Sequence, residues 1–387
     1  MLHESILDPS ASILRGLPLP ADRVAQSGEG FKLPEGTVVV SSDGHWSTNH
    51  DIFQERAPAH MRDRMPKMII DEEGFHDWHI NGKSIAPPTA KRPIVAFETT
   101  PGCMHLEPRL ADLDAEGITH EIVFGNLVPN LFLSWPDQEV REWIFRIYNQ
   151  YIAETGAQSG GRFHGVGLIN YWDMDKVHAS IDELNALGLK TLLLPIAPRG
   201  ANGAEFEYAS PTHAPLWSAI EDSGLPVCFH VGEVFKEGVG GQGIGNMLIF
   251  GPFRKTLGEL IFGGILDRHP KLQVVFTEAD INWIPGALQT ADMIVATQYD
   301  MLDIKIKYSP RYYWQNNCYA TFMWDPAGLK LIDDIGTDRV MWCSDYPHVE
   351  SVLGKGWSSM QAVCDAVSED DARAILGGTA MKLFKLR

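Results

Sequence analysis

Four short stretches of this 387-residue chain place ionisable side chains directly after an apolar run: Ser42-Asp43-Gly44-His45, Phe229-His230-Val231-Gly232-Glu233, Thr277-Glu278-Ala279-Asp280 and Ser344-Asp345-Tyr346-Pro347-His348. Asp43 and His45 are two apart, so on an extended strand both side chains point the same way. A carboxylate left at the end of a hydrophobic strand needs compensation, because an unpaired buried charge is very costly. A divalent cation held by imidazole and carboxylate groups supplies it. Any one such residue is more often a helix cap or an ion-pair partner. Their coincidence on four runs is what points to a metal site.

The apolar runs must be strands for this to work. Eight are present: 37–42 (TVVVSS), 118–124 (ITHEIVF), 163–171 (FHGVGLINY), 189–196 (LKTLLLPI), 226–231 (PVCFHV), 272–277 (LQVVFT), 317–322 (NCYATF) and 339–344 (RVMWCS). Several are continuously apolar, as in parallel strands buried on both faces. Amphipathic stretches lie between them, among them MDKVHASIDELNALG, PLWSAIEDSGLP, LGELIFGGILDRHPKL and PAGLKLIDDIGTDR. This alternation, with no second strand cluster, predicts an α/β fold, a (β/α)8 TIM barrel, as one domain over 1–387. Residues 1–36 read as an N-terminal extension. Residues 46–110 and 232–255 read as long inserted loops after strands 1 and 5, placed to wall a pocket over the strand ends. No Gly-x-Gly-x-x-Gly follows a strand, so nothing supports a dinucleotide fold. In a barrel, catalytic groups sit where strands end, and the ionisable ends are the first, fifth, sixth and eighth.

Composition narrows the partners. Hydrophobic residues make up 44% of the chain and the net charge is -18, which disfavours nucleic acid and anionic membrane and leaves a small-molecule substrate. Five scattered cysteines suggest a reducing compartment, and no signal peptide or membrane span is read from the sequence. The expected location is the cytoplasm and the expected assembly a homo-oligomer.

The motifs SSDGHW, FQERAPAHMRDRMP, LADLDAEGI, LPVCFHVG, LDRHPKLQVVFTEADINWIP, MWCSDYPH and AILGGTAMKLF, taken in order from Thr37 to Phe384, resemble the amidohydrolase-related proteins. The resemblance is to their aminocarboxymuconate-semialdehyde decarboxylase branch. It implies a (β/α)8 barrel with a divalent metal ion (Zn, Fe or Mn). It also implies that His45, His230 and Asp345 are ligands. Asp43 stands where the family's first motif usually has His and is a ligand by analogy with one subgroup. Glu278 stands where the sixth strand often ends in His, as ligand or base. The fourth strand reads LLLPIAP and has no Lys for a carbamate bridge.

The expected activity is metal-dependent hydrolysis of a small organic substrate, aromatic or derived from ring cleavage. Metal-activated water would attack a polarised carbonyl. Asp345 or Glu278 would take the proton of the water, and His348 would stabilise the oxyanion. The alternatives are non-oxidative decarboxylation at the same metal, and a non-heme iron, even di-iron, oxygenase, since the ligand set is oxygen-rich. Glu233 and Asp280 read as orienters of ligands. Trp46, next to His45, reads as a pocket residue, and Trp283 and Trp314 as core. Arg62 and Arg64 offer carboxylate-binding forks but more often form a solvated pair. Cys343 reads as a small buried residue, and His105, His164 and His269 as structural.

Overall fold

The computed structural model describes residues 24–48, 51–70, 76–80, 82–84, 100–126, 135–200, 202–232, 238–348 and 350–387. All eight expected runs contain strands. The first is split into β1 (Val40–Ser41) and β2 (His45–Trp46). A side sheet follows, made of β3 (Lys67–Ile70), β4 (His76–Ile80) and β5 (Lys83–Ser84). The second barrel strand is β6 (His120–Gly125), and the third is interrupted at Val166 into β7 (Phe163–Gly165) and β8 (Gly167–Leu168). Then come β9 (Leu192–Leu194), β10 (Val227–His230), β11 (Val274–Thr277), β12 (Cys318–Phe322) and β13 (Val340–Trp342).

Every neighbouring pair around this series is parallel, from β1 and β2 on β6 through to β12 on β13. The ring closes between the first and eighth strands. Gly44 and Tyr346 form a parallel bridge, Ser42 N–H donates to Trp342 O (3.1 Å), Asp345 N–H to Asp43 O (3.0 Å) and His45 N–H to Tyr346 O (2.7 Å). The strands β6, β9, β10, β11, β12 and β13 are buried along their whole length, which explains their mostly apolar character. Helices such as Gln138–Gln158, Val177–Ala186 and Ala214–Ser223 turn their apolar stripes to the barrel. Gly224 ends the last of these in the left-handed region, at φ 64°, as a C-terminal glycine does.

Three expectations are corrected. A second strand cluster exists: β3, β4 and β5 form an antiparallel meander. Residues 46–110 are therefore not simply a loop. Besides the meander they hold the helix Ile52–Arg56 and the first half of the helix Leu106–Ala115. The stretch before β11 is two helices, Gly251–Phe262 and Ile265–Arg268, because Gly264 at φ 66° breaks the run. The part of the N-terminal extension described, from residue 24, lies on the barrel: Gln26 N–H donates to Glu116 and Phe31 stacks on Trp357.

Candidate metal centre

The strand ends expected to carry chemistry converge. Asp43, His45, His230 and Glu278 can each offer a ligand atom within 4.8 Å of the others, and so can His45, Glu278, Asp345 and His348. The two groups share His45 and Glu278. His45 Nε2 lies 3.1 Å from Asp345 Oδ1 and 3.6 Å from Asp43 Oδ1. His230 Nε2 lies 3.4 Å from Asp43 Oδ1 and 3.7 Å from Glu278 Oε2. His348 Nδ1 lies 3.2 Å from Asp345 Oδ1, and its ring stacks on His45 at 3.6 Å.

Backbone geometry aims these groups. His230 Nδ1 donates to the Val231 carbonyl at 2.8 Å, which leaves the Nε2 lone pair facing the cluster. Glu278, Asp280 and Asp345 all adopt left-handed backbone, with φ of 50°, 47° and 55°. Of the four non-glycine residues described with such backbone, these three are acids at strand ends, which marks strain held at a candidate functional site. Gly44 is required between Asp43 and His45: a Cβ there would collide with the Glu121 carboxylate.

The donor atoms fit a divalent cation. Asp43 and Asp345 are fully buried, yet neither carboxylate has a hydrogen bond of good geometry, and the same holds for both nitrogens of His45 and for His230 Nε2. Left uncompensated, each buried charge would cost several kcal/mol, on the order of 3–5. Burial raises Asp43 to about 6, against the pull of His230. Burial, then Asp345, Glu350, Asp43 and Asp280, push Glu278 well above the usual carboxylate range. Burial and the neighbouring His348 hold His45 well below its ordinary value, which favours a neutral imidazole able to ligate a metal. Burial opposes ionisation of Asp345, but His348 and His45 outweigh it and keep it ionised. The same pairing lifts His348 to about 9 despite its burial. Repulsion among these carboxylates is what a bound cation removes.

The cluster opens on a cavity of about 220 Å³ lined by Glu278, Asp280, Phe250, Phe322, Met323 and Glu350, with Asn246 and Ile249 completing its wall. Residues 246–250 belong to the 232–255 segment, which thus borders the strand ends as expected. A larger cleft, about 580 Å³, lies elsewhere, between Trp46, Met104–Pro108 and the helix Gln138–Gln158. It holds none of the clustered residues, so its size says nothing about the chemistry. Trp46 lines that cleft: one residue past His45 it faces outward, donating to Tyr151 Oη at 3.2 Å and packing edge-on against Phe163. Its expected place beside the site is thereby corrected.

The remaining expectations can be placed. Arg64 is held on the surface by Asp137 and Glu139, and Arg62 is exposed. Trp314 is core and Trp283 packs against it. Cys343 is buried and its thiol is pushed well above its ordinary value by burial, then by Asp43 and Asp345, so it is no nucleophile. His164 contacts His120 and His269 contacts Glu221, away from the site. His105 precedes the helix Leu106–Ala115. Glu233 lies outside the described residues. Sequence reasoning missed Arg109 and Glu121, a fully buried bidentate pair beneath the site; Arg109 also donates to the carbonyls of His45, Gly102 and Tyr346. The signal was there, since Glu121 is a lone acid inside the apolar run ITHEIVF.

A family model described as amidohydrolase matches residues 136–386, the stretch from the helix Gln138–Gln158 to the end of the barrel. The chain belongs to the amidohydrolase family. Solved amidohydrolase-like structures share its fold. The amidohydrolase map2389c of Mycobacterium avium subsp. paratuberculosis K-10 has a TM-score of 0.74 at 19% identity, covering 90% of this chain and 99% of that one. The 5-carboxyvanillate decarboxylase LigW of Sphingomonas paucimobilis has 0.67 at 20%, covering 91% and 100%. A dihydroxybenzoic acid decarboxylase of Polaromonas sp. JS666, with bound manganese and the inhibitor 2-nitroresorcinol, has 0.65 at 17%, covering 90% and 97%. No curated protein matches the sequence. The amidohydrolase reading of the motifs is met, and the cluster is consistent with the expected divalent metal ion. Among the described residues no helix is long and apolar enough to cross a membrane.

Proposed function

We propose that this protein is a metal-dependent decarboxylase of a small aromatic acid, with Asp43, His45, His230 and Asp345 as metal ligands and Glu278 as proton donor. The observation that carries the reading is the position of Glu278. It belongs to both ligand groups and also lines the cavity, the one clustered residue among those described to do so. Bound at the cluster, a divalent cation supplies positive charge that anchors a substrate carboxylate and stabilises negative charge developing beside it. The Val231 carbonyl fixes the His230 ring, and His348, stacked on His45 and ion-paired with Asp345, fixes those two of the other three ligands. Phe250, Phe322 and Met323 offer flat and apolar contact for an aromatic ring. The bond to the carboxylate breaks, its electron pair stays on the ring carbon, CO2 leaves, and the Glu278 proton goes to that carbon. Water then returns a proton to Glu278.

Two of the similar structures are named as decarboxylases, and one of these holds manganese, which favours this reaction and this ion over hydrolysis and over zinc or iron. Hydrolysis, the expectation from sequence, needs a free base for water. Asp345 is ionised, but His45 and His348 already engage it. The test is manganese-loaded protein with 5-carboxyvanillate or 2,6-dihydroxybenzoate in deuterated water, with and without O2. Release of CO2, one deuterium at the vacated carbon and an O2-independent rate support the proposal. Solvent oxygen in a product that keeps its carboxylate would establish hydrolysis, and strict O2 dependence would establish an oxygenase.

A further inference from the structure

We infer that the cavity beside the metal centre is a subsite for a positively charged nitrogen on the substrate, at the end remote from its metal-bound carboxylate. The inference rests on the proposed binding of a carboxylate at the cluster. Two carboxylates that are not proposed ligands, Asp280 and Glu350, face this cavity, and no lysine, arginine or histidine lines it among the described residues. Asp280 is mostly buried, yet it has no hydrogen bond or ion pair among the described residues. The nearby Asp325 is different, being saturated by the backbone N–H groups of Ile281, Asn282 and Gly328. Asp325 therefore serves the fold, whereas Asp280 is left facing open space.

A metal ion at the cluster balances its own ligands but not Asp280; Glu350 is exposed to solvent and adds negative potential beside it. A second anionic group on the substrate would be repelled here, and an apolar end would leave Asp280 desolvated without a partner. An ammonium or amidinium group gives Asp280 its missing partner within the negative potential of Glu350, and the aromatic rings of Phe250 and Phe322 beside it favour the same charge.

The test uses calorimetry on the manganese-loaded full chain with three probes: 4-(aminomethyl)benzoate, 4-methylbenzoate and 4-methylbenzylamine. The aminomethyl acid should bind about tenfold or more tightly than 4-methylbenzoate, the size of one hydrogen bond between charged groups. In the Asp280→Asn/Glu350→Gln variant, and more weakly in Glu350→Gln alone, that ratio should fall towards one, with folding checked by circular dichroism. Equal binding of the two acids by the parent overturns the subsite and leaves the decarboxylase reading standing. Binding of 4-methylbenzylamine that depends on Asp280, with no gain from adding the carboxylate, keeps the subsite and overturns that reading instead.

Discussion

His45 Nε2 lies 3.1 Å from Asp345 Oδ1, so the first and eighth strands meet through side chains at the seam where the barrel closes. The candidate metal centre is therefore built on the closure itself. Asp43, between the two, gives its carbonyl to the Asp345 N–H and turns its carboxylate to His230 across the barrel mouth.

Glu278→Gln should separate binding from chemistry. Gln keeps the shape and the hydrogen-bonding capacity but has no acidic proton. Metal content should be retained, KM for the acid should change little, and kcat should fall by about 10²–10⁴, the usual contribution of a general acid. Steady-state kinetics beside elemental analysis checks this; loss of metal instead would make Glu278 a ligand.

The seam also predicts where stability is concentrated. Arg109 is fully buried, ties Glu121 on the second strand to the carbonyls of His45 and Tyr346, and lies over the Tyr346 ring. Arg109→Met leaves Glu121 as an uncompensated buried carboxylate and should cost about 3–5 kcal/mol in urea unfolding. Arg109→Met with Glu121→Leu should cost less, because the stranded charge is gone.

A pH dependence should arise far from the site. His164 is held at about 4 by burial, then by His120 and Lys190. Its folded value is depressed, so its stabilising contribution is complete above the unfolded value of 6.5. That contribution falls with pH until about 4, because in this window the unfolded chain binds a proton that the folded chain refuses. The residue is partly exposed, so the loss should be on the order of 1–2 kcal/mol after allowance for screening. His164→Gln should flatten that part of the stability profile.

The eight strands were legible because most are buried on both faces and read as largely apolar runs, such as LLL at Leu192–Leu194. The ionisable ends were legible because an acid after such a run is conspicuous. The meander of β3–β5 was not: its strands are half exposed and lie among prolines and charges, so no alternation stands out. The outward side of Trp46 was missed because position next to His45 suggested shared company, whereas successive strand residues face opposite ways. The place of Glu350 at the cavity depends on which loops the barrel brings together, which no local pattern encodes.

The central claim is that Asp43, His45, His230 and Asp345 hold a divalent metal ion. The most direct measurement is elemental analysis of manganese in the parent and in folded His230→Ala and Asp345→Asn chains, after loading and exhaustive dialysis. The parent should retain the ion and each variant should lose most of it, with far-ultraviolet circular dichroism unchanged. Full manganese occupancy in both folded variants would contradict the account.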